Sequence, residues 1–277
     1  MTTHEVSVPS ADEIAALELP AAARDILTEY DRRIGHRPEF LWKWLYEVFP
    51  RYRLSSVPSR YHETVREQKL LLTIFYTLLD DLADLHRDRA TFMEARKLPL
   101  PRTTVDADAP DVDADYLELT TMAWETVEST LRSAPRADEF WLAFEFDLEQ
   151  ALNAMHHSCL VTEMPPLVTE SGTEAYNEHN MAQFSYADID ILFSPSFDTA
   201  DLRPLREMVW RAQRLARISN WVATWEREIA EGDPTSGVVV CALTEGLITL
   251  SELEDPDVPS ETLVDRIRAH GIEAAFL

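Results

Sequence analysis

Residues 70–89 read LLLTIFYTLLDDLADLHRDR, an almost uninterrupted apolar run set directly against Asp80, Asp81, Asp84 and Asp88. The run is Leu-rich and lacks the alternation of a half-buried strand, so it predicts a helix in the protein core. Charges at the end of a core helix need a separate explanation. The rest of the chain agrees with a helical reading: only 6 of 277 residues are glycine, and long stretches are built from Ala, Leu, Glu and Arg. That composition argues against a β-sandwich and against a Gly-loop nucleotide-binding α/β fold. The expected fold is all-α, a single-domain helical bundle over residues 1–277.

Helical periodicity predicts segments near 11–30, 38–50, 60–95, 115–132, 137–160, 172–192, 200–231, 236–253 and 260–271, most of them bounded by Pro, Gly or Asp/Ser clusters. The clearest loop is KLPLPRTTVDADAPDVDAD, 97–115, where prolines and acids defeat both periodicities. No internal repeat is visible.

The formal net charge of −25 repels nucleic-acid phosphates and anionic membranes, so neither is an expected partner. Of 25 basic residues only Lys43, Lys69 and Lys97 are lysine. Cys159 and Cys241 are too few for a disulfide framework, and MTTHEVSVPSADE has neither the basic nor the apolar part of a secretory signal. A cytoplasmic protein with reduced thiols is expected. The apolar run at Leu70 is about half of what a membrane-spanning helix needs.

If 60–95 is one helix, Asp80, Asp84 and Asp88 lie at i, i+4 and i+8 and drift only about 40° per step, with Asp81 close by. Like charges so placed destabilise a helix by a few tenths of a kcal/mol per pair. A divalent cation would relieve the repulsion, and carboxylate oxygens on a rigid helix suit Mg²⁺, which completes its shell with water and phosphate oxygens. An acid-rich composition also produces D-D-x-x-D by chance, so a second signal is required. RISNWVATWEREIAEGD, 217–233, supplies one: Asn220, Thr224 and Glu228 again fall at i, i+4 and i+8, giving amide, hydroxyl and carboxylate oxygens on one helical face.

On these residues the sequence resembles the class I terpene synthases, all-helical bundles with an Asp-rich motif D-D-x-x-D/E and a later N-D-x-x-S/T-x-x-x-E. Asp80, Asp81 and Asp84 match the first motif, and Asn220, Thr224 and Glu228 match the second at the family's order and spacing. Trp221 stands where the second motif usually has Asp. Arg227 occupies the basic position before the Glu, and Gly232 and Asp233 follow as they commonly do in that family. The segment YNEHNMAQFSYADIDILFSPSFD, 176–198, resembles the family's helix break, most like bacterial diterpene synthases of the kaurene-synthase type.

The resemblance implies a carbon–oxygen lyase in which three Mg²⁺ ions, held by Asp80, Asp84, Asn220, Thr224 and Glu228, neutralise a departing diphosphate. It implies catalytic roles for these residues and Asp81, and geranylgeranyl, copalyl-type or farnesyl diphosphate as substrate. An apolar aromatic cavity is implied below the metals, for which Phe75, Tyr76, Phe184, Trp221 and Trp225 are candidates. The chain departs from the family in having no arginine from 137 to 202, where Glu174, His179 and Asn180 occupy the usual diphosphate-sensing window, and in lacking a C-terminal Arg-Tyr pair. Diphosphate contacts therefore fall to Arg214, Arg217 or Arg227. Competing readings are a chain-elongating prenyl transferase and a non-catalytic acidic helical protein that binds isoprenoids. The adjacent His156 and His157 point about 100° apart on a helix and do not form a metal site. Asp188 and Asp190 are expected to cap or solvate the helix break. Homodimerisation and a partner class II cyclase are left open.

Overall fold

The computed structural model of the chain describes residues 9–35 and 37–276; most of the N-terminal stretch read for a targeting signal, residues 1–8, lies outside them. Among the described residues all regular structure is helical: α1 (Ala11–Ala15), α2 (Ala21–Arg33), α3 (Glu39–Val48), α4 (His62–Asp80), α5 (Arg89–Ala95), α6 (Ala114–Arg132), α7 (Ala137–Glu163), α8 (Glu170–Tyr176), α9 (Gln183–Leu192), α10 (Leu202–Ala230), α11 (Gly237–Thr244), α12 (Leu250–Glu254) and α13 (Ser260–His270), joined by short 3₁₀ turns. None is long and apolar enough to cross a membrane. Local chemistry sets many of the ends. Ser10 with Glu13, and Thr249 with Glu252, close capping boxes on α1 and α12, while Asp113 and Thr169 cap α6 and α8.

Four predicted segments are split. The 11–30 segment breaks before Pro20. The 236–253 segment breaks at Gly246, whose φ of +70° suits a residue without Cβ. The 172–192 segment breaks at Ala182, a non-glycine residue with φ +53°. In 60–95 the α-helix ends at Asp80 and continues as a π-turn, Asp81–Leu85, in which the His86 N–H donates to the Asp81 carbonyl at 2.7 Å. Asp88 therefore leaves the acidic face expected for it. Its side chain caps α5 by accepting from the Thr91 N–H.

Helix α4 is the central element. Leu70, Leu71, Leu72, Ile74, Phe75, Leu78 and Leu79 are all buried, because α4 packs against α6 on one side and against α9 and α3 on others. Each such side chain contributes roughly 1.5–3 kcal/mol relative to exposure. The main core also takes in Trp124 and Val127 of α6 and Phe144, Leu148 and Leu152 of α7. A second, smaller cluster joins Trp221, Trp225 and Ile229 of α10 to Val238, Val239 and Ala242 of α11 and Ile267 of α13. A Cβ added at Gly237 would come within 2.6 Å of the Trp221 ring, so α11 sits this close to α10 only because residue 237 has none.

Asp188 and Asp190 do not solvate the break; both are buried. Asp190 accepts from Lys69 Nζ of α4 at 2.9 Å and from the Leu54 N–H at 2.9 Å, while Lys69 also donates to the Tyr52 carbonyl at 3.0 Å. One buried pair thus pins the 52–54 segment between α4 and α9. Burial lowers the Lys69 pKa and raises that of Asp190, so desolvation outweighs their mutual attraction. Lys69→Met is expected to cost about 3–5 kcal/mol in urea unfolding, because it strands a buried carboxylate. Adding Asp190→Asn should recover most of that loss, since the amide oxygen still accepts the Leu54 N–H.

Candidate functional site

Thr73, Tyr76, Thr77 and Asp80 form one stripe of α4, and Arg217, Asn220, Arg227 and Glu228 form a stripe of α10 that continues into its C-cap, Glu231. Both stripes face a cavity of about 1100 Å³. Asp84 reaches it from the π-turn, and Asp233 from the turn that follows α10. Further walls come from Trp44, Val48, Phe49 and Tyr52 and from Met181, Ala182 and Tyr186, with the Phe49 and Tyr186 rings packed edge to face at 5.2 Å. The helix break at Ala182 therefore opens into the cavity. One end is charged and the other is largely apolar and aromatic.

Of the residues nominated from sequence, Asp80, Asp84, Asn220, Glu228, Arg217, Arg227 and Tyr76 line this cavity. Thr224 joins them through its hydroxyl, which lies 2.7 Å from Glu228 Oε1 and 2.8 Å from the Asn220 carbonyl. The others face elsewhere. Asp81 is fully buried and accepts from Tyr30 Oη at 3.1 Å and from Arg37 Nη2 at 2.5 Å, so it fastens the end of α4 to the segment after α2. Phe75 packs against Trp124 in the core, and Phe184 stacks on His179 and Trp210 beneath Arg206. Trp221 and Trp225 belong to the α10–α11 cluster. Arg214 is half-exposed and pairs with Glu178 at 2.9 Å. His156 and His157 diverge, one toward Phe92 and the other toward Tyr176.

Electrostatics distinguish the two ends. Asp84 is solvent-exposed and lines the cavity. Crowding by protein raises its carboxyl well above the usual range, and the charges of Asp80, Asp233 and Glu228 add to the shift against Arg217. Asp80 is raised by burial, with Arg37 opposing and Asp81 adding; the Asn180 amide donates to it at 3.4 Å. Glu228 is likewise raised by burial and by the Asp233 charge, against the Thr224 hydrogen bond, the nearby Ser236 hydroxyl and Arg217. The four carboxylates face one cavity, and opposing charge comes from the buried Arg217 guanidinium and, at Asp80, from Arg37.

Among the described residues no three His, Cys, Asp or Glu side chains are gathered tightly enough to hold a metal ion by themselves. The donor set is nonetheless all-oxygen and short of positive charge, which fits Mg²⁺ completed by water and phosphate oxygens. Asn220 Oδ1 accepts from Arg217 Nη1 at 2.8 Å and keeps a second lone pair. The Thr224 hydroxyl, donating to Glu228, keeps its lone pairs as well.

Sequence reasoning missed Arg37. It lines the cavity and is ion-paired with Asp81 and, at 3.9 Å, with Asp80. A single arginine between Gly35 and Pro38 carries no periodic signal. At the apolar end, Tyr76 Oη lies 2.8 Å from Ser185 Oγ, and Tyr186 Oη lies 2.8 Å from Thr73 Oγ1. Behind Tyr76, Arg206 clamps Asp147 at 2.6 and 2.8 Å. Asp188 beside them is raised well above the usual range by burial and by the Asp147 charge, with Arg206 opposing.

Asp81→Ala removes the partner of a half-buried arginine and a buried tyrosine, and is expected to cost about 3–5 kcal/mol. Asp84→Ala relieves repulsion and should leave the metal-free melting temperature unchanged or higher. Equal losses in thermal melts would show that the two acids share one role. Asp188 gives a pH signature. Burial and the Asp147 charge raise its folded value above that of the unfolded chain, near pH ~4, so this group's stabilisation is present at acid pH and declines as pH rises toward its folded value. Asp188→Asn should flatten that slope in urea titrations between pH 4 and 8. No protein-family model, curated protein or solved structure matches the chain.

Proposed function

We propose that this chain is a Mg²⁺-dependent class I terpene synthase, ionising a prenyl diphosphate and releasing diphosphate. The observation that carries the reading is the meeting of two oxygen-donor faces, distant in sequence, across one cavity that runs on into an aromatic wall. Either face alone has a mundane explanation in a chain of net charge −25. Their convergence on the same space supports a shared ligand.

In this reading Asp80 and Asp84 on one side, and Asn220, Thr224 and Glu228 on the other, would hold Mg²⁺, which when bound supplies Lewis-acid neutralisation of the leaving diphosphate. Arg217, and Arg227 at the rim, donate to the phosphate oxygens. The hydrocarbon lies against Phe49, Tyr76 and Tyr186, which exclude water from the reacting carbons and present ring faces to developing positive charge. Asp81 and Arg37 hold the end of α4 at its angle to the cavity.

The test is pyrophosphate release by purified protein with Mg²⁺ from geranyl, farnesyl, geranylgeranyl and copalyl diphosphates, with mass spectrometry of the hydrocarbon products. Release from at least one is expected, and release from none overturns the proposal. Asp84→Ala and Asn220→Ala are expected to lower that rate by about 100-fold or more, in line with loss of an electrostatic stabiliser, while leaving the helical circular-dichroism signal intact.

A further inference from the structure

Arg217 is only 8% exposed yet lines the cavity, and the charges of Glu228, Asp80, Asp84 and Asp233 all act on it. Its Nη1 donates to Asn220 Oδ1, while its buried Nε–H has no partner. The other two arginines discussed at the cavity are more open to water: Arg37 pairs with Asp81 and reaches Asp80 at 3.9 Å, and Arg227 lies at the surface, 3.9 Å from Glu228 and 3.7 Å from Glu231. A guanidinium remains charged under all ordinary conditions, and burying one is costly unless negative charge surrounds it. Arg217 therefore occupies, as a tethered cation, the same field that an incoming metal ion would use.

A second cation approaching those carboxylates meets the charge of Arg217. An anion that accepts from the guanidinium where it lines the cavity, and whose oxygens also reach the metal, removes that repulsion. We propose that Arg217 is a built-in counter-ion that makes Mg²⁺ and diphosphate binding cooperative, so that the metal binds weakly until a diphosphate is present. The inference rests on reading Asp80, Asp84, Asn220, Thr224 and Glu228 as a Mg²⁺–diphosphate site. Coupling of this kind is reciprocal: the diphosphate also binds weakly without metal. A carboxylate site without such a tethered cation would load Mg²⁺ first and alone.

The experiment measures Mg²⁺ affinity by calorimetry and thermal shift at matched free Mg²⁺ and constant ionic strength, with and without inorganic pyrophosphate. It uses the wild type, Arg217→Gln, Arg217→Lys and Asp84→Asn. In the wild type, pyrophosphate should tighten Mg²⁺ binding by about tenfold or more, within the usual range of coupling between sites. Arg217→Gln should bind Mg²⁺ alone about tenfold more tightly than the wild type and lose most of the pyrophosphate effect, whereas Arg217→Lys should follow the wild type. Arg217→Gln should also melt lower without metal and be restored by Mg²⁺ but not by NaCl of equal ionic strength, which keeps the test decisive if the variant is destabilised.

An Arg217→Gln protein that binds Mg²⁺ no more tightly than the wild type and keeps the full pyrophosphate effect overturns the counter-ion role. If Asp84→Asn still abolishes the joint binding, the site reading survives that outcome. A wild-type protein that takes up neither Mg²⁺ nor pyrophosphate, singly or together, overturns both.

Discussion

Helix α4 has to be buried through its middle turns and still deliver carboxylates to an open cavity at its end. Much of the architecture follows from that constraint. Apolar side chains around its circumference require α3, α6 and α9 as neighbours. Asp81, carried inward by the same helix, requires Arg37 and Tyr30 as partners. Asp80 and Asp84 escape inward burial because α10 stands off from α4 on that side, leaving a gap that the cavity occupies. The repulsion among the acids is tolerated because packing along α4, roughly 1.5–3 kcal/mol per large buried side chain, exceeds a like-charge cost of tenths of a kcal/mol per helical pair.

Carboxylate identity is thus a poor guide to role in this chain. Adjacent residues Asp80 and Asp81 differ by one helical step, yet one lines the cavity and the other is a buried anchor. Asp188 and Asp190 likewise share a short helix while keeping different company, one beside another carboxyl and one locked to lysine. Each acid's environment is set by what packs opposite, and its protonation follows from that environment.

The same point governs what could be read in the sequence. The all-helical character, the loop read at 97–115, which ends in the structure where α6 begins at Ala114, and the two oxygen-bearing faces were legible, because they depend on local periodicity and composition. Which side of α10 carries its aromatics was not. Trp221 and Trp225 sit between ligand positions in sequence, but Gly237, on a different helix, lets α11 come close enough to claim them. Arg37 and Arg214 illustrate the same limit. Each is defined by a carboxylate far along the chain, Asp81 in one case and Glu178 in the other, and no spacing rule joins such pairs. The π-turn was invisible because it carries no Gly or Pro, and the break at Ala182, equally unmarked, was expected only from the resemblance of 176–198 to a family's helix break.

The π-turn sets the rotational phase of the motif. A turn closed by i→i+5 hydrogen bonds is wider than an α-turn, so residues four apart stack more nearly one above the other than they do in an α-helix. Asp84 is thereby brought into line with Asp80 at the cavity, and the residues after the turn are set back by one position relative to a continuous helix. The spelling of D-D-x-x-D is consequently an incomplete description of what α4 presents. Deleting a single residue between Asp84 and Asp88 would leave every letter of the motif in place while closing the turn to an ordinary helix and shifting the carboxylates out of phase. Two chains with identical motif letters can in this way present different carboxylate geometries, and the difference resides in backbone phase.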